Sequence, residues 1–476
     1  MEAVEPSPRR QAWIVGGITL LGLALRLWGL SDESFWQDEA WSWWMVQGGL
    51  GDTVYRTVDW DLHPPLYYLI LGPWSRLGDS EFWLRLPSVL FGAASIPLLF
   101  RIGKRLLGWN AGVGACLLMA LSANTTYFSQ EARSYSLLTL EVLVAANLVE
   151  SEIRTRTLLL GIVLGLIALT HYVGGFFALI IAAWLLWRRE KRTLIISGSV
   201  AAALFAPWSP FFARQIARAD SGFWLPAPTP REVWSCLLEF AQFPHYLPSW
   251  GVRLAGIALL VAVAGGWWWK RRDRAGRIAL LWAAGPIAIS LILSLRLNVF
   301  YARSLAYVLP AWFLLAACWP RRFFMPVTAI VALAFIGGQV ALRTKVQKED
   351  WRSAVAFTEQ RPDIAIAFWP GDLRAPGDYY LRSRPKRTEI YSLPPDGYAA
   401  GTYQREQLDY LVGRMRYWTS RPAHVWLFTR HGRKHVGAAD FARFKSGFFP
   451  TGIQATCEGV LVELWERERL FRHEDD

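Results

Sequence analysis

Charge is scarce in this 476-residue chain. Asp, Glu, Lys and Arg make up 19% of it, against about 25% in an average soluble domain. The deficit is concentrated in runs such as Ala12–Leu30 and Thr193–Phe212, too long and too apolar for ordinary amphipathic helices. A purely soluble architecture is therefore excluded. Cysteine is scarce as well. Four are present without a CxxC pair, which removes a disulfide scaffold, a zinc ribbon and a redox motif and leaves buried thiols as the expectation. Glycine shows no repeat, so a collagen-like chain is excluded, and no GxGxxG or P-loop supports nucleotide binding. Acids are outnumbered, 38 against 51 bases, for a net charge of +13. In a soluble protein that excess would suggest nucleic acid. Here the cations have a simpler use as topology signals, and no nucleic-acid partner is expected.

With about 20 residues per crossing as the ruler, the sequence predicts eleven spans, near 12–30, 84–100, 109–125, 135–150, 158–170, 172–187, 194–212, 254–269, 278–295, 304–319 and 323–341. The segments assigned to the inside total 43 residues and hold 18 Lys and Arg, whereas the 113 outside residues hold 10 together with 13 Asp and Glu. That bias puts the N-terminus in the cytoplasm, with the first apolar stretch a signal anchor. The thirty apolar residues 158–187 are one tilted helix or two short ones. Two spans turning at His171–Gly175 keep the cation rule intact, and an odd number of spans leaves the C-terminus outside. From Arg343 onward the composition changes: the last 134 residues carry 22 Lys and Arg and 18 Asp and Glu, with no span-length apolar run. Strand-like runs at Ile364–Trp369, His424–Thr429 and Val460–Trp465 alternate with helix-like runs at Trp351–Glu359 and Arg405–Trp418. The expectation is a membrane all-α bundle over 1–342, its first extracytoplasmic loop at 31–83 carrying interfacial helices, followed by a soluble extracytoplasmic α/β domain over 343–476.

Several polar clusters fall on the predicted outer face. Phe35-Trp36-Gln37-Asp38-Glu39-Ala40-Trp41-Ser42-Trp43-Trp44 sets two adjacent carboxylates among tryptophans, just beyond the first span. An aromatic belt with solvated acids is the plain reading. The other is a general base, since acids held against aromatics lose solvation unless paired or used. Asp59-Trp60-Asp61-Leu62-His63-Pro64-Pro65-Leu66-Tyr67-Tyr68 brings His63 toward the carboxylates, as a polar contact or a structural histidine, and its prolines can start a second interfacial helix. Arg85-Leu86-Pro87-Ser88 opens the second span. Ser129-Gln130-Glu131-Ala132-Arg133-Ser134-Tyr135 offers Arg133 as a bidentate phosphate ligand, or as the loop partner of Glu131. Tyr301-Ala302-Arg303-Ser304 and His171-Tyr172 complete the set.

In this order (WQDEAW, HPPLYY, RLPSVLFG, SQEARSY, THY, then a basic-aromatic segment) the motifs resemble the GT-C membrane glycosyltransferases. They are similar in particular to the bacterial branch of the protein O-mannosyltransferase and aminoarabinose transferase family, glycosyltransferase family 39-like. The ordered match covers residues 36–172 and thins through 300–310. The resemblance implies a GT-C polytopic helical bundle and a sugar donor carried on polyprenyl phosphate. It also implies Asp38 as catalytic base with Glu39 as its companion, and substrate contacts among His63, Gln130, Glu131, Arg133, Tyr135, His171, Tyr301 and Arg303. The late segment departs from the family's Arg-Tyr order, which leaves the role of Arg303 open. Some relatives bind a divalent metal near the first-loop acid. No tight ligand cluster is visible here, so a metal cofactor is left open and no metal ligand is assigned.

Polyprenyl phosphate is a good leaving group, so such a reaction needs a base for the acceptor hydroxyl and cations for the departing phosphate. Attack from the opposite face inverts the anomeric centre. The acceptor is a protein, glycan or lipid hydroxyl, in a multi-pass protein of the inner (plasma) membrane. A lipid or polysaccharide transporter would explain the spans but not the paired acids of a Trp-rich outer loop. Transporters place ionisable groups near the bilayer midplane, and Glu141 is the only acid well inside a predicted span. A non-catalytic subunit of a cell-envelope polysaccharide machine is the third reading.

Overall fold

The computed structural model describes residues 5–220, 228–240, 249–345, 348–382, 388–393, 407–409, 411–412, 422–430 and 438–467. The chain forms two compact units, one of Met1–Leu30 with Met45–Gln347 and the other of Ser31–Trp44 with Lys348–Asp476. The acidic segment of the first loop thus belongs to the unit built mainly from the C-terminal residues.

In chain order the helices are α1 (Pro8–Leu27), α2 (Gln37–Met45), α3 (Leu50–Trp60), α4 (Leu66–Ser75), α5 (Glu81–Leu107), α6 (Trp109–Leu121), α7 (Ala123–Ser129), α8 (Tyr135–Val149), α9 (Arg156–Thr170), α10 (Gly175–Trp187), α11 (Lys191–Phe205), α12 (Ser209–Asp220), α13 (Pro230–Glu239), α14 (Ser249–Lys270), α15 (Arg274–Leu293), α16 (Leu309–Ala317) and α17 (Arg321–Thr344). All but α2 belong to the first unit. Among the described residues, four stretches are long and apolar enough to cross a membrane: Glu81–Leu107, Lys191–Arg218, Arg274–Leu293 and Arg321–Thr344. The pair α6 and α7 makes a fifth if counted as one span. Shorter apolar helices occupy Tyr135–Val149, Arg156–Thr170, Tyr172–Trp187 and Ala302–Ala317. This is a multi-pass membrane protein.

Two interruptions shape the outer-loop region. The thirty apolar residues 158–187 divide at His171, where α9 ends and a single 3-10 turn, Tyr172–Gly174, leads into α10, as the two-helix reading expects. The expected span at 109–125 bends by 60° between α6 and α7, which the sequence reading had continuous. Breaking a helix in an apolar medium releases carbonyls that must find donors. Met119 O receives Thr125 Oγ1 at 2.9 Å and Nη2 of the fully buried Arg26 at 3.2 Å. Arg26 also donates to Thr125 Oγ1, Gly22 O and Ser129 Oγ. The close approach of α5 is made at Gly92, where a Cβ would lie 2.1 Å from Ser129 Oγ.

The second unit carries a five-stranded sheet of order β2-β1-β3-β5-β4, with β1 at Ala365–Trp369, β2 at Ile390–Ser392, β3 at His424–Arg430, β4 at Phe448–Cys457 and β5 at Val460–Arg467. β1 runs parallel to β2 and β3, and β5 is antiparallel to β3 and β4. Alternate residues face opposite sides of a sheet. Ala365, Ala367, Val425 and Leu427 therefore enter one core with Phe441 and Phe444, and Ile366, Phe368, Trp426 and Phe428 enter the other with Trp351. Helices α18 (Trp351–Phe357) and α19 (Arg374–Leu381) belong to this unit. The three predicted strand runs are β1, β3 and β5, whereas β2, β4 and α19 carried no expectation. The predicted helix at Arg405–Trp418 lies largely outside the described residues.

Candidate functional site

The Asp59–Tyr68 segment folds as a turn built around Asp61. α3 ends at Trp60, and the Asp61 carboxylate accepts the backbone N–H groups of Leu62 at 2.6 Å and His63 at 3.1 Å. This is how a short acidic side chain closes a turn. Pro64 and Pro65 cannot donate and lead into α4, which places Tyr68 within reach of the same carboxylate. The Tyr68 hydroxyl donates to Asp61 Oδ2 at 2.5 Å, and His63 Nδ1 lies 2.8 Å from Asp61 Oδ1. The carboxylate can only accept, so His63 Nδ1 carries a proton and donates it to Asp61.

Arg133 completes the arrangement. Its Nη1 donates to the Tyr68 hydroxyl at 3.1 Å and its Nη2 lies 3.5 Å from His63 Nε2. Tyr68 is thus a relay, accepting from the guanidinium and donating to the carboxylate. The Ser88 hydroxyl, within 3.1 Å of the Tyr67 hydroxyl, donates to the Arg133 carbonyl at 3.2 Å. In this way the HPPLYY, RLPS and SQEARSY motifs interlock. A small pocket opens here, lined by His63, Pro64, Tyr67, Tyr68, Arg133, Ser134 and Thr170.

Burial pushes the Asp61 carboxyl up, but the His63 charge and hydrogen bond, the Arg133 charge and the Tyr68 hydrogen bond outweigh it and hold Asp61 well below the ordinary carboxylate range. His171 sits edge-on to His63 with ring centroids 5.2 Å apart. Burial first, then the His63 and Arg133 charges, hold its pKa well below the ordinary histidine value, against the opposing pull of Asp61. Its Nδ1 accepts the Val173 N–H at 3.3 Å, so the proton of the neutral ring is on Nε2. Among the described residues nothing hydrogen-bonds that buried nitrogen.

The other expected site residues fall elsewhere. Gln130 donates its amide to the Arg26 and Trp28 carbonyls, 2.9 Å each, and so closes the end of α1. Glu131 is buried. Tyr135 borders a second small pocket beside Arg26. Arg303 donates to the Tyr301 hydroxyl and lies over its ring at 4.6 Å; neither lines the first pocket. Asp38 and Glu39 start α2 in the second unit. Asp38 is half-buried, whereas Glu39 is fully buried and paired with Lys348 Nζ at 2.9 Å. Asp61 and Tyr68 were missed as functional residues although both stand in the Asp59–Tyr68 segment. The signal was an acid two residues before the histidine, the spacing of a side-chain-closed turn. Among the described residues no three His, Cys, Asp or Glu side chains gather as a metal site, so no step is derived through a metal.

The family model described as dolichyl-phosphate-mannose-protein mannosyltransferase matches residues 62–211, the stretch that holds this pocket. No curated protein sequence matches the chain. Among solved structures, ArnT from Cupriavidus metallidurans in the apo state aligns at 14% identity over 96% of this chain and 98% of its own, with a TM-score of 0.64. The same protein bound to undecaprenyl phosphate aligns at 14% identity over 95% and 98%, with a TM-score of 0.61. The Archaeoglobus fulgidus oligosaccharyltransferase tethered to an acceptor peptide aligns at 11% identity over 95% of this chain and 74% of that one, with a TM-score of 0.57. The fold is the GT-C fold expected from the sequence, and the stretch 62–211 is similar to a glycosyltransferase family model.

Proposed function

We propose that this GT-C-fold protein transfers a sugar from polyprenyl phosphate to an acceptor hydroxyl at the extracytoplasmic face of the inner (plasma) membrane, with the N-terminus cytoplasmic and the second unit outside. The observation that carries the reading is the Arg133 guanidinium, braced by Tyr68 and facing His63 at the rim of a pocket. Two nitrogen groups converging there suit an incoming phosphate, which separates them and satisfies both. The undecaprenyl phosphate bound by the ArnT relative supports the donor class.

In this reaction the acceptor oxygen bonds to the anomeric carbon as the carbon–phosphate-oxygen bond breaks. The electron pair leaves with polyprenyl phosphate, whose charge Arg133 and His63 stabilise, and the acceptor proton passes to Asp38. Opposite-face attack inverts the centre. The base role of Asp38 rests on its place in the DE motif. Glu131, His171, Tyr301 and Arg303 remain proposed substrate contacts, while Gln130 and Tyr135 support them through the framework.

The test is incubation of reconstituted protein with a panel of polyprenyl-phosphate sugars, following release of free polyprenyl phosphate with and without acceptor. One donor is expected to be cleaved, and Asp38→Asn to lose ~10²–10⁴ in rate while still binding it. Donor that crosses the bilayer uncleaved would show a transporter instead.

A further inference from the structure

The second unit holds the acidic motif through a buried ion pair. Glu39 is fully buried, and its Oε2 lies 2.9 Å from the Nζ of Lys348, itself 4% exposed and 309 residues away in sequence. A carboxylate withdrawn this far from water is tolerated when a partner compensates it. The residues after Lys348 grip the same segment. Ser34 donates to the Glu349 carbonyl at 2.6 Å and accepts the Trp351 N–H at 3.1 Å. Arg352 donates to the Ser31 carbonyl at 3.2 Å. Glu349 is braced in turn by Trp351 Nε1 at 2.8 Å and Arg430 Nε at 3.0 Å.

The start of α2 is fixed from a further side. The backbone N–H of Phe35 donates to the Tyr380 hydroxyl at 2.6 Å, and Gln37, next to Asp38, donates to Asp372 at 2.5 Å. Phe35 and Trp43 both pack on Tyr379, with ring centroids 4.7 and 5.2 Å apart. The first turn of α2 and the residues leading into it are therefore held by residues of 348–380.

We infer that Lys348 is a positioning residue for transfer: it neutralises Glu39 and so fixes the first turn of α2 from which Asp38 is presented, which makes the C-terminal unit a working part of the enzyme rather than an appendage. The inference rests on the reading of Asp38 as the base. It also assigns Glu39 a role distinct from that of Asp38, as the anchor of the motif rather than a second base.

The experiment compares Lys348→Met, Lys348→Arg, Glu39→Gln and the exchanged pair Glu39→Lys with Lys348→Glu, all full length, using donor KM, kcat and thermal midpoint in one detergent. Lys348→Met is expected to lower kcat by ~10–100-fold, the scale of a small misplacement of a reacting group, with donor KM within about threefold. Lys348→Arg should recover most of the rate. If Lys348→Met does not fold, the exchanged pair decides, and it should transfer at least ~10-fold faster than either of its single changes. Wild-type kcat in folded Lys348→Met, or an exchanged pair no better than its parts, overturns the inference. Asp38→Asn is measured alongside. If it retains the wild-type rate, the base assignment fails. If it is inactive while Lys348→Met is normal, only the positioning role fails.

Discussion

The hydroxyl of Ser88 donates to the carbonyl of Arg133 at 3.2 Å, joining positions 45 residues apart. The bond ties the start of the second predicted span to the turn that carries the guanidinium, so the aim of Arg133 is set by backbone as well as side chain. Ser88→Ala is expected to lower kcat/KM for the donor about tenfold, with circular dichroism unchanged, because small displacements of a charge clamp are costly in rate. Wild-type kcat/KM would show that the turn holds its place without this bond.

Arg133 itself should be intolerant of a conservative change. Lysine keeps the charge but loses the planar fork that reaches Tyr68 and His63 together. Arg133→Ala is expected to cost ~10²–10³ in kcat, the scale of removing one donor to a developing anion, and Arg133→Lys to fall between alanine and wild type. Single-turnover release of polyprenyl phosphate measures both. Unchanged turnover in the alanine variant would refute the clamp.

Asp61 supplies a pH test. Its carboxyl is held below its ordinary value, near 3.9, so the unfolded chain takes up the proton first as pH falls. The stability from Asp61 is then complete above about pH 5 and is lost as pH drops below about 4 through the folded-state pKa. Thermal midpoints of wild type and Asp61→Asn should differ by a constant amount from pH 7 to about 5 and converge below about 4. A gap that widens on acidification would contradict this ionisation state.

Gly92 tests packing at the helix break. A Cβ there would meet Ser129 Oγ at 2.1 Å and Arg26 Nε at 3.0 Å, whereas one at Gly337 would meet nothing within 4 Å. Gly92→Ala should destabilise by about 1–3 kcal/mol, as overpacking does, and Gly337→Ala should leave the midpoint level or raise it through helix propensity. Equal midpoints for the two would show that α5 can draw back.

Apolar helices were legible in sequence because the bilayer imposes a length, and the turn at His171 was legible because the cation pattern needs an even count there. The bend at Ser122 was not. The residues Ala123–Thr126 suit a continuing helix, and the cost of the break is met by Arg26, whose bond to Thr125 spans 99 positions. β1, β3 and β5 were legible as compact apolar runs. β4, largely exposed and interrupted between Pro450 and Gln454, offers no alternation to read. Within the site, Arg133 and His63 stood out by residue type. Asp61, Tyr68 and Lys348 did not, since each takes its meaning from a partner elsewhere in the chain: Asp61 and Tyr68 from Arg133, Lys348 from Glu39.

The grouping of residues 31–44 with the C-terminal unit sets an order on biosynthesis. Glu39 leaves the ribosome 309 residues ahead of Lys348, so through most of translation the acidic helix has no counter-ion and no platform. A chain cut short before Lys348 contains the apolar spans but lacks the residue that pairs with Glu39. On the positioning role inferred for Lys348, translation must pass the last span before the acidic helix acquires its anchor.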